Sequence, residues 1–322
     1  MSEPVLSIEN LAVTFPTEEG ELAAVDGVSF SVMRNEVLGL VGESGCGKSA
    51  TALSILSLVP KPGRVSQGRV IFEGADLLAL AEPRLREIRG RRISMIFQDP
   101  MTALSPLLSV GAQMAECLTL HEKISQKDAL AKSREWLARM GIPEAGRVLS
   151  GFPFELSGGQ QQRVMIAMAL MTGPSLVIAD EPTTALDATV SAQIFELLSK
   201  MRGESTSVLL ITHDLGVVWE LCDRVAVMYA GKIVEEAPVS ALFERPLHPY
   251  TEGLLKSVPV LTEERELYSI EGQVPSPLDY PPGCRFNDRC PLAFDRCAAE
   301  EPALRQIADG RKAACHLADK RM

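Results

Sequence analysis

Gly42-Glu43-Ser44-Gly45-Cys46-Gly47-Lys48-Ser49 follows the apolar run Val37-Leu38-Gly39-Leu40-Val41 and leads into Ala50–Val59, a stretch of helical pattern. The eight residues fit G-x-x-x-x-G-K-[ST] in the strand–loop–helix setting that gives this pattern its meaning. Glycines let backbone N–H groups come close to phosphate oxygens, and the start of the helix adds the positive end of its dipole. Lys48 is then placed to reach β- and γ-phosphates, and the Ser49 hydroxyl to ligate Mg²⁺. A chance glycine turn is the plain alternative, and the flanking strand and helix speak against it.

Working outward, apolar residues alternate over Val5–Val13 and again near Gly27–Val32, the pattern of antiparallel strands. Ile93–Phe97 is β-rich and runs into the polar turn Gln98-Asp99-Pro100. Residues 101–172 change character, with Met, Ala, Leu, Gln and Lys dominating, and read as a helical insertion between two parts of a sheet. Beyond it, β-type runs (Leu176–Ala179, Val208–Thr212, Arg224–Tyr229) alternate with helical stretches (Val190–Met201, Leu215–Leu221), which signals a parallel sheet with crossover helices. The pattern weakens from about Pro238, where Pro-rich loops and Cys284, Cys290, Cys297 and Cys315 appear. A boundary near 237 follows, with residues 238–322 as a C-terminal extension.

A second chemical element is Leu176-Val177-Ile178-Ala179-Asp180-Glu181, an apolar strand ending in two acids. Such a strand places carboxylates at the edge of the sheet where α/β folds bind ligands. Asp180 suits Mg²⁺, and Glu181 beside it suits a base that polarises attacking water. A solvated strand end is the alternative for this element alone; together with the loop at 42–49 the metal reading prevails, and the chain reads as a P-loop NTPase.

The bulk numbers narrow the partners. The 322 residues carry a formal net charge of −10, which argues against a nucleic-acid partner because such proteins show a basic footprint. The N-terminal residues carry acids and no continuous apolar core, so no signal peptide is expected, and no uninterrupted apolar run approaches the roughly 18 residues of a membrane span. Seven cysteines without a secretory signal suit a reducing compartment. Any membrane association then comes through a partner protein.

Leu156-Ser157-Gly158-Gly159-Gln160, some 20 residues before the acids, matches the signature of ABC transporter ATPases, and the chain resembles that family over residues 5–237. The resemblance implies an α/β fold: a P-loop NTPase nucleotide-binding domain over 1–237 with a mixed sheet core, an antiparallel β subdomain and a helical subdomain at about 101–172. It also implies ATP hydrolysis by paired cassettes that bind head to tail, each ATP lying between one chain's Gly42–Ser49 and the other's signature. By resemblance, Gly42, Glu43, Ser44, Gly45, Cys46, Gly47, Lys48, Ser49 and Ala50 hold ATP in cis. Ser157, Gly158, Gly159 and Gln160 face it in trans, and Asp187 of Thr184-Ala185-Leu186-Asp187 contacts across the dimer. Gln98 falls at the Q-loop position beside Mg²⁺ or water, with Ser49 and Asp180 as further Mg²⁺ ligands, while His213 matches the switch histidine. Phe15 resembles the aromatic that stacks on adenine, with a plain core residue as the alternative. Lys48, Gln98, Glu181 and His213 form the catalytic set so implied.

Gln98–Pro106, His248-Pro249-Tyr250-Thr251 and the cysteine-bearing tail look like the dipeptide/oligopeptide importer ATPases, which extends the resemblance to essentially the whole chain. That subfamily implies two transmembrane permeases docking on residues 101–155, a second and often non-identical ATPase subunit, a separate solute-binding protein, and a peripheral place on the cytoplasmic face of the membrane. Nickel or another peptide-like solute is the alternative cargo, and a soluble non-transport ABC ATPase the remoter one. The tail cysteines are spaced C-x5-C-x6-C-x17-C, without the close pairs typical of zinc modules. Four thiolates on irregular loops, one followed by Pro291, suit a [4Fe–4S] cluster, which members of this subfamily hold there; free thiols, disulfides and zinc stay open beside it.

Overall fold

The computed structural model describes residues 3–183, 186–203, 206–258 and 268–322. They pack as two compact units: one made of the residues up to Met33, Val37–Ala79 and Ile211–Met322, the other of Arg34–Glu36 and Leu80–Leu210.

In the first unit an antiparallel sheet carries, in spatial order, Gly20–Met33, Pro4–Thr17, Arg64–Phe72 and Ala75–Asp76. Leu6 and Ile8 point to the core with Leu11 and Val13, although the two pairs have opposite parity along the strand. A bulge reconciles them: the register slips between Ile8 and Leu11 against one neighbour and between Glu9 and Ala12 against the other. Asn10 takes the left-handed conformation there, with φ 49°, and its N–H donates to Ser29 Oγ. The bulge thus turns the side chains after it to the face that the sequence needs buried.

The same unit holds a mixed sheet. Val37–Val41, buried at every residue, runs parallel to Arg224–Tyr229, with Leu38 opposite Arg224 and Val41 opposite Val227. Arg224–Tyr229 turns back into Lys232–Pro238 through Ala230 and Gly231, both at positive φ, as a two-residue hairpin of matching twist requires. Two strands from the C-terminal region, Arg311–Ala313 and Arg305–Ala308, then add to the Lys232–Pro238 edge. The tail therefore continues this sheet.

In the second unit Ile93–Ile96 pairs in parallel with Leu176–Asp180, which neighbours Ser207–Ile211. Between the first two strands come the helices Pro100–Ala103, Val110–Thr119, Gln126–Arg139, Ala145–Ser150 and Gly158–Leu170, as the composition of 101–172 leads one to expect. Serines start three of them: the Ser109, Ser125 and Ser157 hydroxyls accept from Ala112, Asp128 and Gln160 N–H. Val110, Met114, Leu118, Leu137, Val164, Ile166 and Leu170 are buried among these helices. Two buried glutamines pin their connecting loops. Gln113 donates to Ser105 O and Leu108 O and accepts from Ser105 N–H, while Gln161 donates to Pro153 O and Leu156 O. Among the described residues no helix is long and apolar enough to cross a membrane.

Candidate active site

The loop after Val37–Val41 is shaped by its glycines. Gly42, Gly45 and Gly47 have φ of 154°, 78° and 109°, values that side-chain-bearing residues avoid. Two are also fixed by space: a Cβ on Gly42 would lie 2.1 Å from Met228 O, and one on Gly47 2.4 Å from Ala24 O. The helix Lys48–Ile55 begins directly after Gly47, two residues earlier than the sequence pattern suggests, so its first turn belongs to the loop. Lys48, only 6% exposed, folds across the loop and donates to Gly42 O at 2.7 Å and Glu43 O at 2.9 Å. The loop's own carbonyls hold the ammonium where a polyphosphate would meet it. Burial pushes the Cys46 thiol up from its usual range, against the pull of the neighbouring Lys48 ammonium. Ser49 and Ala50 are half-buried, while Ser44 and Gly45 are exposed.

Glu43 behaves differently from its neighbours. Its N–H donates to Tyr250 Oη at 2.8 Å, and its carboxylate accepts a two-pronged pair of bonds from Arg289 at 2.7 and 3.0 Å. Both groups are turned to the C-terminal region. By resemblance Glu43 belongs to the loop that holds ATP, and no sequence pattern assigns a role there to Arg289 or Tyr250; the one signal is an acid standing in a loop suited to anions.

Phe15 is half-buried, its ring lying so close over Gly63 that a Cβ there would meet Phe15 Cε1 at 2.3 Å. His213 is exposed at the end of a strand, in a turn fixed on both sides: Asp214 N–H donates to Thr212 Oγ1, and Asp214 Oδ1 caps the helix Leu215–Leu221.

In the second unit Asp180 is 3% exposed at the end of Leu176–Asp180. Glu181 follows at φ 46°, a conformation that costs a non-glycine residue energy and that clusters at functional sites. Its carboxylate accepts from Gln98 Nε2 at 3.1 Å, so the two sequence-predicted residues, 83 positions apart, are brought together. The signature residues start the helix Gly158–Leu170 through a capping box, Ser157 Oγ accepting from Gln160 N–H and Gln160 Oε1 from Ser157 N–H. Gly158 is exposed, and a Cβ on it would meet nothing within 4 Å. Asp187 is exposed and caps the next helix by accepting from Val190 N–H. Thr184 and Ala185 of the same stretch lie outside the described residues.

Cys284, Cys290, Cys297 and Cys315 line one chamber with His248, Phe286, Leu292 and Leu317. All are free thiols. Burial pushes Cys284 up to about 11 and raises Cys290 and Cys315 as well, each further opposed by the charge its neighbours would carry. As donors, four converging thiols suit an iron–sulfur cluster. Their placement does not: the cavity among them is about 10 Å³, room for no more than one water, and among the described residues no group of three His, Cys, Asp or Glu is disposed to hold a metal ion. The cluster expected from the sequence thus finds no support in the arrangement, and neither zinc nor a disulfide takes its place.

Comparison with known proteins adds to this geometry. The family model described as ABC transporter matches residues 25–184, and that described as oligopeptide/dipeptide transporter, C-terminal region, matches 234–297. A probable peptide ABC transporter ATP-binding protein of Sinorhizobium fredii is 51% identical over 97% of this chain and 94% of its own length. A dipeptide transport ATP-binding protein of Escherichia coli is 46% identical over 97% and 96%. Among solved structures, a dimeric ATP-binding cassette bound to ADP and phosphate aligns with a TM-score of 0.67 at 28% identity, covering 73% of this chain and 98% of that one.

Proposed function

Because this chain belongs to the ABC transporter family of ATPases, we propose that it is the ATP-hydrolysing subunit of an importer that takes di- or oligopeptides across the cytoplasmic membrane. The observation that carries the nucleotide part is the glycine-shaped loop with Lys48 folded across it. The peptide part is supported by the match of residues 234–297 to the oligopeptide/dipeptide transporter C-terminal region. The cassette is taken as residues 1–237 and the extension as 238–322.

The residues divide the work. Lys48 and the N–H groups at the start of Lys48–Ile55 neutralise and orient the β- and γ-phosphates. Ser49 and the buried carboxylate of Asp180 are hard oxygen donors suited to Mg²⁺, which when bound offsets charge on the phosphates. Glu181 accepts the proton of the attacking water, and Gln98, already hydrogen-bonded to it, keeps that carboxylate oriented. His213 contacts the γ-phosphate. The signature of a second cassette supplies donors to the same nucleotide. Gly158, which the chain's own packing leaves free to carry a side chain, supports an approach from outside.

Permease docking on residues 101–155 is supported by apolar side chains held out to solvent there. Leu107 is 85% exposed on the loop pinned by Gln113, and Phe154 70% on the turn pinned by Gln161. The second ATPase subunit, identical or not, and the solute-binding protein complete the proposed assembly. An iron–sulfur cluster on the four tail cysteines rests on their thiol donors and the resemblance alone, since the cavity among them leaves it no room. Iron and sulfide analysis of anaerobically purified chain tests it, a stoichiometric yield supporting it and none removing it.

The decisive test is reconstitution in vesicles with its partner permeases. ATP turnover stimulated by peptide-loaded binding protein, with peptide accumulating inside, is expected. Turnover without peptide uptake overturns the cargo, and no turnover overturns the reading itself.

A further inference from the structure

We infer that Arg289, in the C-terminal region, positions the phosphate loop for nucleotide by tethering Glu43. The guanidinium is 6% exposed, and each of its five N–H directions has an acceptor. Nε donates to Glu271 O at 2.9 Å; Nη1 to Glu43 Oε2 at 2.7 Å and Tyr229 Oη at 3.3 Å; Nη2 to Glu43 Oε1 at 3.0 Å and Ile270 O at 3.3 Å. A buried arginine so fully satisfied has one geometry, and the second residue of the loop is bound to it by two charge-assisted bonds. Tyr250 completes the hold by accepting the Glu43 N–H. The anchor is itself stiff, since Tyr229, Tyr250 and Phe286 pack ring against ring at 4.5 to 5.4 Å.

The tether reaches the residues that matter for phosphate. Lys48 Nζ rests on the carbonyls of Gly42 and Glu43, and Glu43 is the residue that Arg289 and Tyr250 both hold, through its carboxylate and its N–H. Releasing Glu43 lets those carbonyls move, and with them the ammonium and the N–H groups of the loop. The tail therefore pre-forms a cradle that would otherwise lose entropy on meeting ATP. Arg289 touches no reacting atom, so it is a positioning residue. It also stands one residue before Cys290, on the turn Asn287–Arg289, which ties the thiol chamber to the nucleotide loop through a single turn.

This inference rests on the ATP reading above, and Mg-ATP binding to the full chain separates the two. If the wild-type chain binds no Mg-ATP, both fail. If it binds, Arg289→Ala is expected to weaken the equilibrium Kd about tenfold, the scale of a lost charge-assisted pair. In the assembled transporter kcat at saturating ATP should stay within about twofold while KM for ATP rises, because Glu181 and Gln98 are untouched. Glu43→Ala should give a comparable loss, and the double variant no more than either single. Arg289→Lys, a point charge without the fork, should recover only part. An unchanged Kd, or single losses that add, overturns the inference. Should Arg289→Ala not fold, Glu43→Ala decides the matter from the half-exposed end of the pair.

Discussion

The two glycine-bearing stretches of this chain, residues 42–49 and 156–160, look alike on paper and differ in what demands their glycines. At Gly42 and Gly47 the demand is internal, because carbonyls of Met228 and Ala24 stand where a side chain would go. At Gly158 nothing in the chain objects to a side chain. The polar groups follow the same division. Lys48 is buried and engaged by its own loop, and Glu43 is clamped by Arg289 and Tyr250. Ser157, by contrast, is exposed and does no more than start a helix. The first stretch is a finished half of a site, braced from behind by the tail. The second is an exposed helix start whose Gly158 no packing inside the chain requires, which suits the proposed approach of a second cassette.

The sharpest way to break the comparison is to separate binding from cleavage. Glu181→Gln removes the base and leaves Gly42–Ser49 intact, so ATP binding should persist while turnover falls about 10²-fold or more, read as phosphate release against equilibrium binding. Unchanged turnover would remove Glu181 from its role. Next comes the pair of glycines themselves. Gly47→Ala, forced to hold φ 109° against Ala24 O, should destabilise the chain by about 1–3 kcal/mol and weaken ATP binding at least tenfold. Gly158→Ala should leave the melting temperature equal or slightly raised, since alanine favours a helix start where space is open, yet cut turnover of the assembled complex about tenfold. Equal melting losses in both variants would erase the distinction.

A pH-dependent test concerns the brace behind the first stretch. His248 is 1% exposed, its Nδ1 accepts from Tyr250 N–H, and burial holds the imidazole down to about 3. The folded chain keeps this histidine neutral while the unfolded chain protonates it near 6.5, so its contribution is complete above that pH and is lost as pH falls from about 6.5 toward 3. Chemical denaturation should show the wild type losing about 1.4 kcal/mol more per pH unit in that window than His248→Asn, which keeps a capping acceptor and cannot titrate. The buried Glu235 carboxyl, pushed up by burial, has the opposite dependence, and comparison of the two chains cancels it. Identical pH profiles would show that His248 is not part of the brace's energetics.

Much of the candidate site was legible because each part is local. A strand, a loop of defined glycines and a helix start lie within 20 residues of one another, and Asp180 and Glu181 close their own strand, so short-range chemistry wrote them into the sequence. The strands Val37–Val41 and Leu176–Asp180 fell where expected for the same reason, while the strand Gly20–Met33 begins well before Gly27 and the helix at Lys48 is early because loop geometry rather than propensity starts it. The tail's kinship was legible through its resemblance to the dipeptide/oligopeptide importer type, but its packing was not. Its cysteine spacing suggested a cluster, while the folded chamber is too full for more than a water.

The sequence by itself determined a glycine-rich loop between a strand and a helix, two acids on a strand end and a Leu-Ser-Gly-Gly-Gln stretch that resembles the ABC signature, all of them local patterns along the backbone. Only tertiary structure decided that the C-terminal region extends a sheet of the cassette and that Arg289 grips Glu43 across 246 positions. The physical reason is that a buried ion pair and a strand edge are made by what the rest of the chain brings beside them, and no local pattern encodes which distant residue will be there.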